Sequence, residues 1–389
     1  MNGLIKYGGA VTGFGEAWAI MKSVVKSTFS RNWQQGEQGK FFEKELAEYL
    51  GTKHAILTSS GSCAGLLALE ALELPKGSEV IISAVTFPTI FNIILQCGLV
   101  PVVVDAQVGT YGFDIADVKK AITKKTKAII AIHPLGNPVD MPALMKLVKG
   151  KNIYVIEDNC DGLGSTINGK LVGSFGDISI TSLHAAHIVS MGVGGVVFTN
   201  SDSLAQKVRM YRDWGRQADI NESKNTKWKN LPKDYNPRFI YEKIGYNFQI
   251  LDLQAAMGRV QLRKIDKIKA KRQANAKYLY EALSMCPLLL PYSLRGADVC
   301  WFSFPLTTIG DRGDLLRHLE KNGIETRPMF SGDITRHPAY KKSKFKISGK
   351  LYGANTIVDK SFWISCHPAL TKKQLKKIVS TFHDYYKTP

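Results

Sequence analysis

Paired cysteines are absent from this chain. Its six cysteines, Cys63, Cys97, Cys160, Cys286, Cys300 and Cys366, are scattered over 389 residues with no C-x-x-C spacing. That argues against a zinc ribbon or a disulfide framework and fits reduced thiols in a cytoplasmic protein. None of them lies between Ser201 and Met285. Long unbroken apolar runs are missing too. The stretch from Val80 to Val104 carries no charge, but Pro88, Asn92, Gln96, Gly98 and Pro101 divide it into strand, turn, short helix and strand, so it reads as buried core rather than a membrane span. No secretory signal is recognised at the N-terminus, and there is no internal repeat or low-complexity segment. Acidic residues are scarce: 33 Asp and Glu against 52 Lys and Arg leave a net charge of +19. The basic excess is dispersed, densest near 118–127, 263–272 and 341–350, and no basic block is interleaved with aromatics as in a single-strand nucleic-acid binder. A lysine-rich solvated surface accounts for it, and a diphosphate-bearing substrate suits it.

What is present is an ordinary globular composition, 44% hydrophobic and 22% charged, in a chain long enough for two domains. Short apolar runs predict strands at His54–Thr58, Glu79–Ser83, Val100–Val104, Ala128–Ile132, Tyr154–Glu157, Ile178–Thr181 and Gly195–Thr199. Helical patterns fall between them, beginning near Ser62 and covering Ile90–Cys97, Ala116–Ala121 and Pro142–Val148. Strands alternating with helices predict an α/β fold, a mostly parallel seven-stranded sheet covered on both faces. A polar stretch, Gln217 to Asn225, reads as a surface loop or flap. From Asp252 to about Met285 the pattern predicts one long basic helix leading into a smaller α+β domain, with a strand at Trp301–Leu306 and a helix at Leu315–Asn322. The expected division is 1–265 and 266–389.

Several local patterns have chemical meaning. Ser59-Ser60-Gly61-Ser62 ends a strand and opens a helix, where free backbone N–H groups and the helix dipole favour an anion; alone, such a turn is usually only a cap. Asp158 stands at the end of an apolar strand, in Glu157-Asp158-Asn159-Cys160-Asp161. Phe87 follows Val85-Thr86, and a Phe there is core by default. Downstream lie Thr181-Ser182-Leu183-His184-Ala185-Ala186-His187 and Gly192-Val193-Gly194-Gly195.

This layout, from Trp33-Gln34-Gln35-Gly36 through Gly323-Ile324-Glu325-Thr326-Arg327-Pro328, resembles the vitamin B6-dependent sugar aminotransferases of fold type I. The resemblance implies a fold-type I aminotransferase-like architecture and pyridoxal 5'-phosphate or pyridoxamine 5'-phosphate as cofactor. It assigns Gly61, Ser62 and Ser182 to the phosphate, Phe87 to stacking on the pyridine, Asp158 to the pyridine nitrogen and Asp161 to the neighbourhood of the ring hydroxyl. Asn247, in Gly245-Tyr246-Asn247, matches an Asn that crosses to a partner subunit's phosphate, so the resemblance also implies a homodimer with a shared active site; a loop Asn capping the next helix is the other reading. His184 and Arg327 are candidate substrate contacts, Arg327 towards a glutamate carboxylate or a diphosphate. No metal is expected.

At the fifth residue after the family serine, relatives carry the lysine that binds the cofactor as a Schiff base. This chain has His187. An imidazole cannot form that bond but can relay protons near neutral pH. The resemblance then points to the nucleotide-sugar 3-dehydratases, of the colitose-pathway and ascarylose-pathway types. In these, a nucleotide-linked 4-keto-6-deoxy hexose loses its C3 hydroxyl while the pyridoxamine form of the cofactor is at work. The ascarylose-pathway type draws electrons through a two-iron two-sulfur cluster held by four cysteines, two of them near the segment after Arg212-Asp213-Trp214-Gly215-Arg216. That motif is present here without the cysteines, so four thiolates cannot be assembled in that region. The expectation is a cluster-free dehydratase recharged by glutamate. The alternatives are an aminotransferase whose lysine has been replaced, or a noncatalytic protein retaining the fold. A nucleic-acid binder would leave Asp158, Ser182 and His187 unexplained.

Overall fold

The computed structural model describes residues 4–216 and 228–387. Seven strands of the main sheet lie where the apolar runs place them: β1 (His54–Thr58), β2 (Glu79–Ser83), β3 (Val100–Val104), β4 (Thr126–Ile132), β5 (Tyr154–Asp158), β6 (Ile178–Ser182) and β7 (Gly195–Thr199). Most are buried along their whole length, which is why they read as continuous apolar runs and not as alternating ones. Their spatial order is β1-β7-β6-β5-β4-β2-β3. Pairing is parallel between β2 and β3, β2 and β4, β4 and β5, and β5 and β6. β7 is antiparallel to both β1 and β6, so β1 runs in the same direction as β6.

Among the described residues the sheet has eight strands rather than seven. Beyond β3, Lys346–Ile347 pairs in parallel with Val102–Val103. Those two residues are exposed and carry no apolar run, so only the bare edge of β3 makes them a strand. A second sheet is antiparallel, in the order β8 (Leu288–Leu289), β9 (Phe304–Thr308), β12 (Ser361–Ile364), β10 (Arg327–Pro328), with Lys346–Ile347 taken as β11.

Helices Gly61–Ala71, Pro88–Gln96, Ile115–Ala121 and Met141–Val148 connect the strands close to their expected positions. Among the described residues the core divides into three apolar clusters. Two flank the main sheet, one against Gly61–Ala71 and Pro88–Gln96, the other against Ile115–Ala121 and Met141–Val148. The third lies between the second sheet and helices Ile265–Leu283 and Lys372–Lys387.

Two further expectations need correction. The single helix from Asp252 to Met285 is two, Asp252–Leu262 and Ile265–Leu283. No Gly or Pro marks the break. It falls where the Gln261 amide and the Lys264 ammonium both reach Glu16, 1% exposed on helix Phe14–Ser30, so a tertiary contact sets it. The strand expected at Trp301–Leu306 begins only at Phe304, because Trp301 and Phe302 are held out of the ladder: Phe302 donates its N–H to Leu135 O at 2.8 Å, and the buried guanidinium of Arg272 takes the carbonyls of both residues. The helix expected at Leu315–Asn322 is Arg312–Lys321. The loop expected at 217–225 lies outside the described residues. Among the described residues, no helix is long and apolar enough to cross a membrane.

Candidate functional site

Ligands of open α/β sheets sit beyond the carboxyl ends of the strands. There, after β1, β2, β5 and β6, a cavity of about 530 Å³ opens, a size typical of a small-molecule site. Gly61, Ser62, Phe87, Asp158, Asp161, Ser182, His184, His187 and Arg327 all line it. Among the described residues, no lysine does. Asn247 is the candidate not brought there. It is exposed and bridges Asp213 through the backbone, while Trp214 donates its N–H to Tyr246 O at 2.7 Å.

The first wall is the turn after β1. Ser60 caps helix Gly61–Ala71, its hydroxyl accepting from Cys63 N at 3.1 Å. A Cβ on Gly61 would lie 2.7 Å from Ser182 Cβ, and one on Gly195 would lie 2.3 Å from Ser60 O. Glycine at both places lets the helix start, the end of β6 and the start of β7 touch. The start of the helix and the Ser182 side chain thus border the same part of the cavity, where the free N–H groups of a first helical turn make an anion cradle. Ser62 also shares a 2.8 Å hydroxyl contact with Thr89.

Asp158 ends β5. Burial, with the charge of Asp161 adding to it, raises its carboxyl above the ordinary range, although contacts with Cys160 and the nearby His133 work the other way. Its carboxylate accepts from Cys160 N at 3.1 Å, and no lysine or arginine pairs with it among the described residues. A buried acid facing a cavity with no cation of its own suits a ligand that brings one, such as a protonated pyridine. Phe87, at the N-cap of Pro88–Gln96, is 59% exposed, so its face is open to the cavity rather than packed in the core. Burial, and next the charge of Asp158, push the Cys160 thiol well above its usual range, which keeps it protonated and a poor nucleophile. An anion cradle, an unpaired buried acid and an open aromatic face fit a phosphorylated pyridine cofactor.

His187 lines the same cavity. Its Nε2 lies 3.3 Å from Asp161 Oδ1, and its ring is 5.4 Å from that of Phe302 at a 35° tilt. The aromatic wall continues from Phe302 to Trp363 (5.9 Å) and on to Tyr7 (5.4 Å), with Arg327 over Tyr7 at 4.5 Å. Arg327 is also paired with Glu325. Sequence reasoning misses Tyr7, Leu135, Phe302 and Trp363. They come from distant segments without a local motif, and only the fold collects them.

The Arg212-Asp213-Trp214-Gly215-Arg216 motif has a structural task in this chain. Arg212, buried, donates to Leu57 O at 3.1 Å and pairs with Glu43 and Asp213, locking β1 to its neighbours.

Residues 16–383 match the DegT/DnrJ/EryC1/StrS aminotransferase family. The chain belongs to that family. Its relatives within the DegT/DnrJ/EryC1/StrS group carry more than one name. The lipopolysaccharide biosynthesis protein RfbH of Salmonella typhimurium is 39% identical, the match covering 89% of this chain and 84% of that protein. The dTDP-4-dehydro-2,6-dideoxy-D-glucose 3-dehydratase of Saccharopolyspora spinosa is 37% identical over 93% and 83%. A GDP-perosamine synthase of Vibrio cholerae is 32% identical over 90% and 92%. Among solved structures, GDP-4-keto-6-deoxymannose-3-dehydratase with a trapped PLP-glutamate geminal diamine superposes with a TM-score of 0.89 at 27% identity, covering 97% of this chain and all of that one. The fold is thus the aminotransferase-like α/β architecture expected from the sequence.

Proposed function

We propose that this protein is a 3-dehydratase of a nucleotide-linked 4-keto-6-deoxy hexose, dependent on pyridoxal or pyridoxamine phosphate and free of an iron–sulfur cluster. One observation carries the reading: His187 lines the cavity, and no lysine among the described residues does. In this reaction the sugar exchanges its C3 hydroxyl for hydrogen, a two-electron reduction. Glutamate supplies those electrons and becomes 2-oxoglutarate with release of ammonia, so atoms and electrons balance.

The cofactor, when bound, supplies an amine to condense with the C4 ketone and a ring that delocalises the electron pair left after proton removal. The chain does the rest. Gly61, Ser62 and Ser182 hold the phosphate, replacing the missing covalent tether. Asp158, ionised against the pyridine nitrogen, keeps that nitrogen protonated. Phe87 covers one face of the ring, and Asp161 lies towards its hydroxyl. His187 takes the proton and returns it to the departing C3 hydroxyl. His184 and Arg327 contact the sugar nucleotide or the glutamate carboxylate, whose negative charge Arg327 matches.

The working unit in this reading is a homodimer. On helix Phe14–Ser30, the apolar Phe14, Trp18, Met21, Val25 and Phe29 are 44–85% exposed, whereas Glu16, Ser23 and Ser27 are buried. A helix with its apolar stripe turned outward is covered by a partner in the assembled protein. The exposed Asn247 then reaches the neighbouring subunit's phosphate.

The GDP-perosamine synthase relative supports a second reading, amino transfer to C4. That reaction runs slowly without an amine to tether the cofactor. His187→Asn tests the primary reading. It should abolish deoxygenation while the absorbance of bound pyridoxal phosphate persists; retained turnover would refute the assignment of His187.

A further inference from the structure

We propose that Asp161 and His187 form a dyad, in which Asp161 is a positioning residue that orients the imidazole and balances the charge it gains on accepting a proton. This rests on the dehydratase reading but gives Asp161 a task beyond the ring hydroxyl. Its two carboxylate oxygens have separate duties. Oδ1 faces His187 Nε2 at 3.3 Å, and Oδ2 accepts the backbone N–H of Leu135 at 3.3 Å. Leu135 has φ 50°, in the left-handed region that branched side chains rarely enter, a conformation held only where the surroundings demand it. The demand is visible: the carbonyl of Leu135 accepts from Phe302 N at 2.8 Å, and Phe302 lays its ring against His187. The next residue, Gly136, is also left-handed, and a Cβ there would sit 2.3 Å from Cys300 O. One strained turn therefore anchors both supports of the imidazole, the carboxylate and the aromatic wall.

The nitrogens of His187 are inequivalent. Nδ1 is buried and has no hydrogen-bond partner, whereas Nε2 faces the carboxylate. The neutral ring accordingly carries its proton on Nε2, since the other tautomer would set a lone pair against Asp161. With Nε2 holding its proton, Nδ1 is the nitrogen left to take a proton from carbon; the bonding pair stays with the carbon and the new positive charge lies beside Asp161. Other charged or titratable groups lining the same cavity include Asp158, Cys160, His133, His184 and Arg327, and Arg272 lies behind Phe302, 5.8 Å from that ring. An amide at 161 would leave the imidazolium without its counter-charge.

Histidine-labelled protein read by 15N NMR, with and without pyridoxal phosphate, tests this, the His187 signals being identified by their loss in His187→Asn. Wild type should show Nε2 protonated and Nδ1 free, and Asp161→Ala should show a mixture of tautomers. Asp161→Asn should lower kcat at least about tenfold while the sugar KM stays within about twofold and cofactor absorbance is retained. A proton on Nδ1 in wild type, identical shifts in Asp161→Ala, or unchanged kcat in Asp161→Asn would each overturn the dyad. The NMR arm uses no sugar, so it succeeds or fails independently of the dehydratase reading.

Discussion

Asp158 shows how a single side chain trades stability for binding. Its carboxyl is raised above the ordinary 3.8, chiefly by burial. An acid whose pKa is higher in the folded state binds its proton more tightly there, so stability falls as pH rises from the unfolded value through the folded one. At neutral pH the cofactor-free protein therefore bears the cost of burying this acid, which a protonated pyridine would offset. Asp158→Asn should raise the Tm of the cofactor-free protein at pH 7, the gap closing as pH falls towards 4, and should weaken pyridoxal phosphate binding. Thermal melts across that range check it; no gain at pH 7, or a gap that widens in acid, would count against this role. The residues legible in the sequence, such as Gly61, Asp158, Ser182 and His187, all sit at or just after strand ends, where local pattern and function coincide. Phe302 and Leu135 were illegible because each acquires its role through a partner more than a hundred residues away.

Elements were readable where burial alone decides them. β2, β3, β6 and β7 are buried on both faces, so their apolar runs could mean little else. Helices Phe14–Ser30 and Glu37–Leu50 have no counterpart in the sequence expectations, and the break before Ile265 is invisible because tertiary contacts make it. Glu16 organises that break. It accepts from Gly13 N at 2.9 Å and from Gln261 Nε2 at 2.6 Å, and it pairs with Lys264. Lys264→Met leaves a buried carboxylate short of its cation. Breaking a fully buried pair costs about 3–5 kcal/mol. Lys264 is 35% exposed, so solvent screening reduces the expected loss to about 1–3 kcal/mol. Urea denaturation measures it, and a variant as stable as wild type would show that Glu16 does not need the ammonium.

At the scale of the whole molecule, the outward apolar stripe on Phe14–Ser30 is the strongest sign of a partner, since polar Glu16, Ser23 and Ser27 face inward where a free surface helix would place Leu or Val. Val25→Asp together with Phe29→Asp should give a monomer by sedimentation and lose cofactor affinity, because the proposed shared site would lose the neighbour's Asn247. A dimer that survives both changes would place the interface elsewhere. The main sheet was legible as a class, an α/β layer structure; the eighth strand was not, because it depends on an edge that composition does not mark.

The central claim is that this cavity removes oxygen from a sugar and does not add nitrogen to it. Incubating the purified protein with pyridoxal phosphate, glutamate and a panel of nucleotide-linked 4-keto-6-deoxy hexoses, then weighing the products by mass spectrometry, tests it most directly. The account predicts a 3,6-dideoxy-4-keto sugar, with ammonia and 2-oxoglutarate formed in equal amounts. A 4-amino sugar that retains its C3 hydroxyl, with no free ammonia, would contradict it.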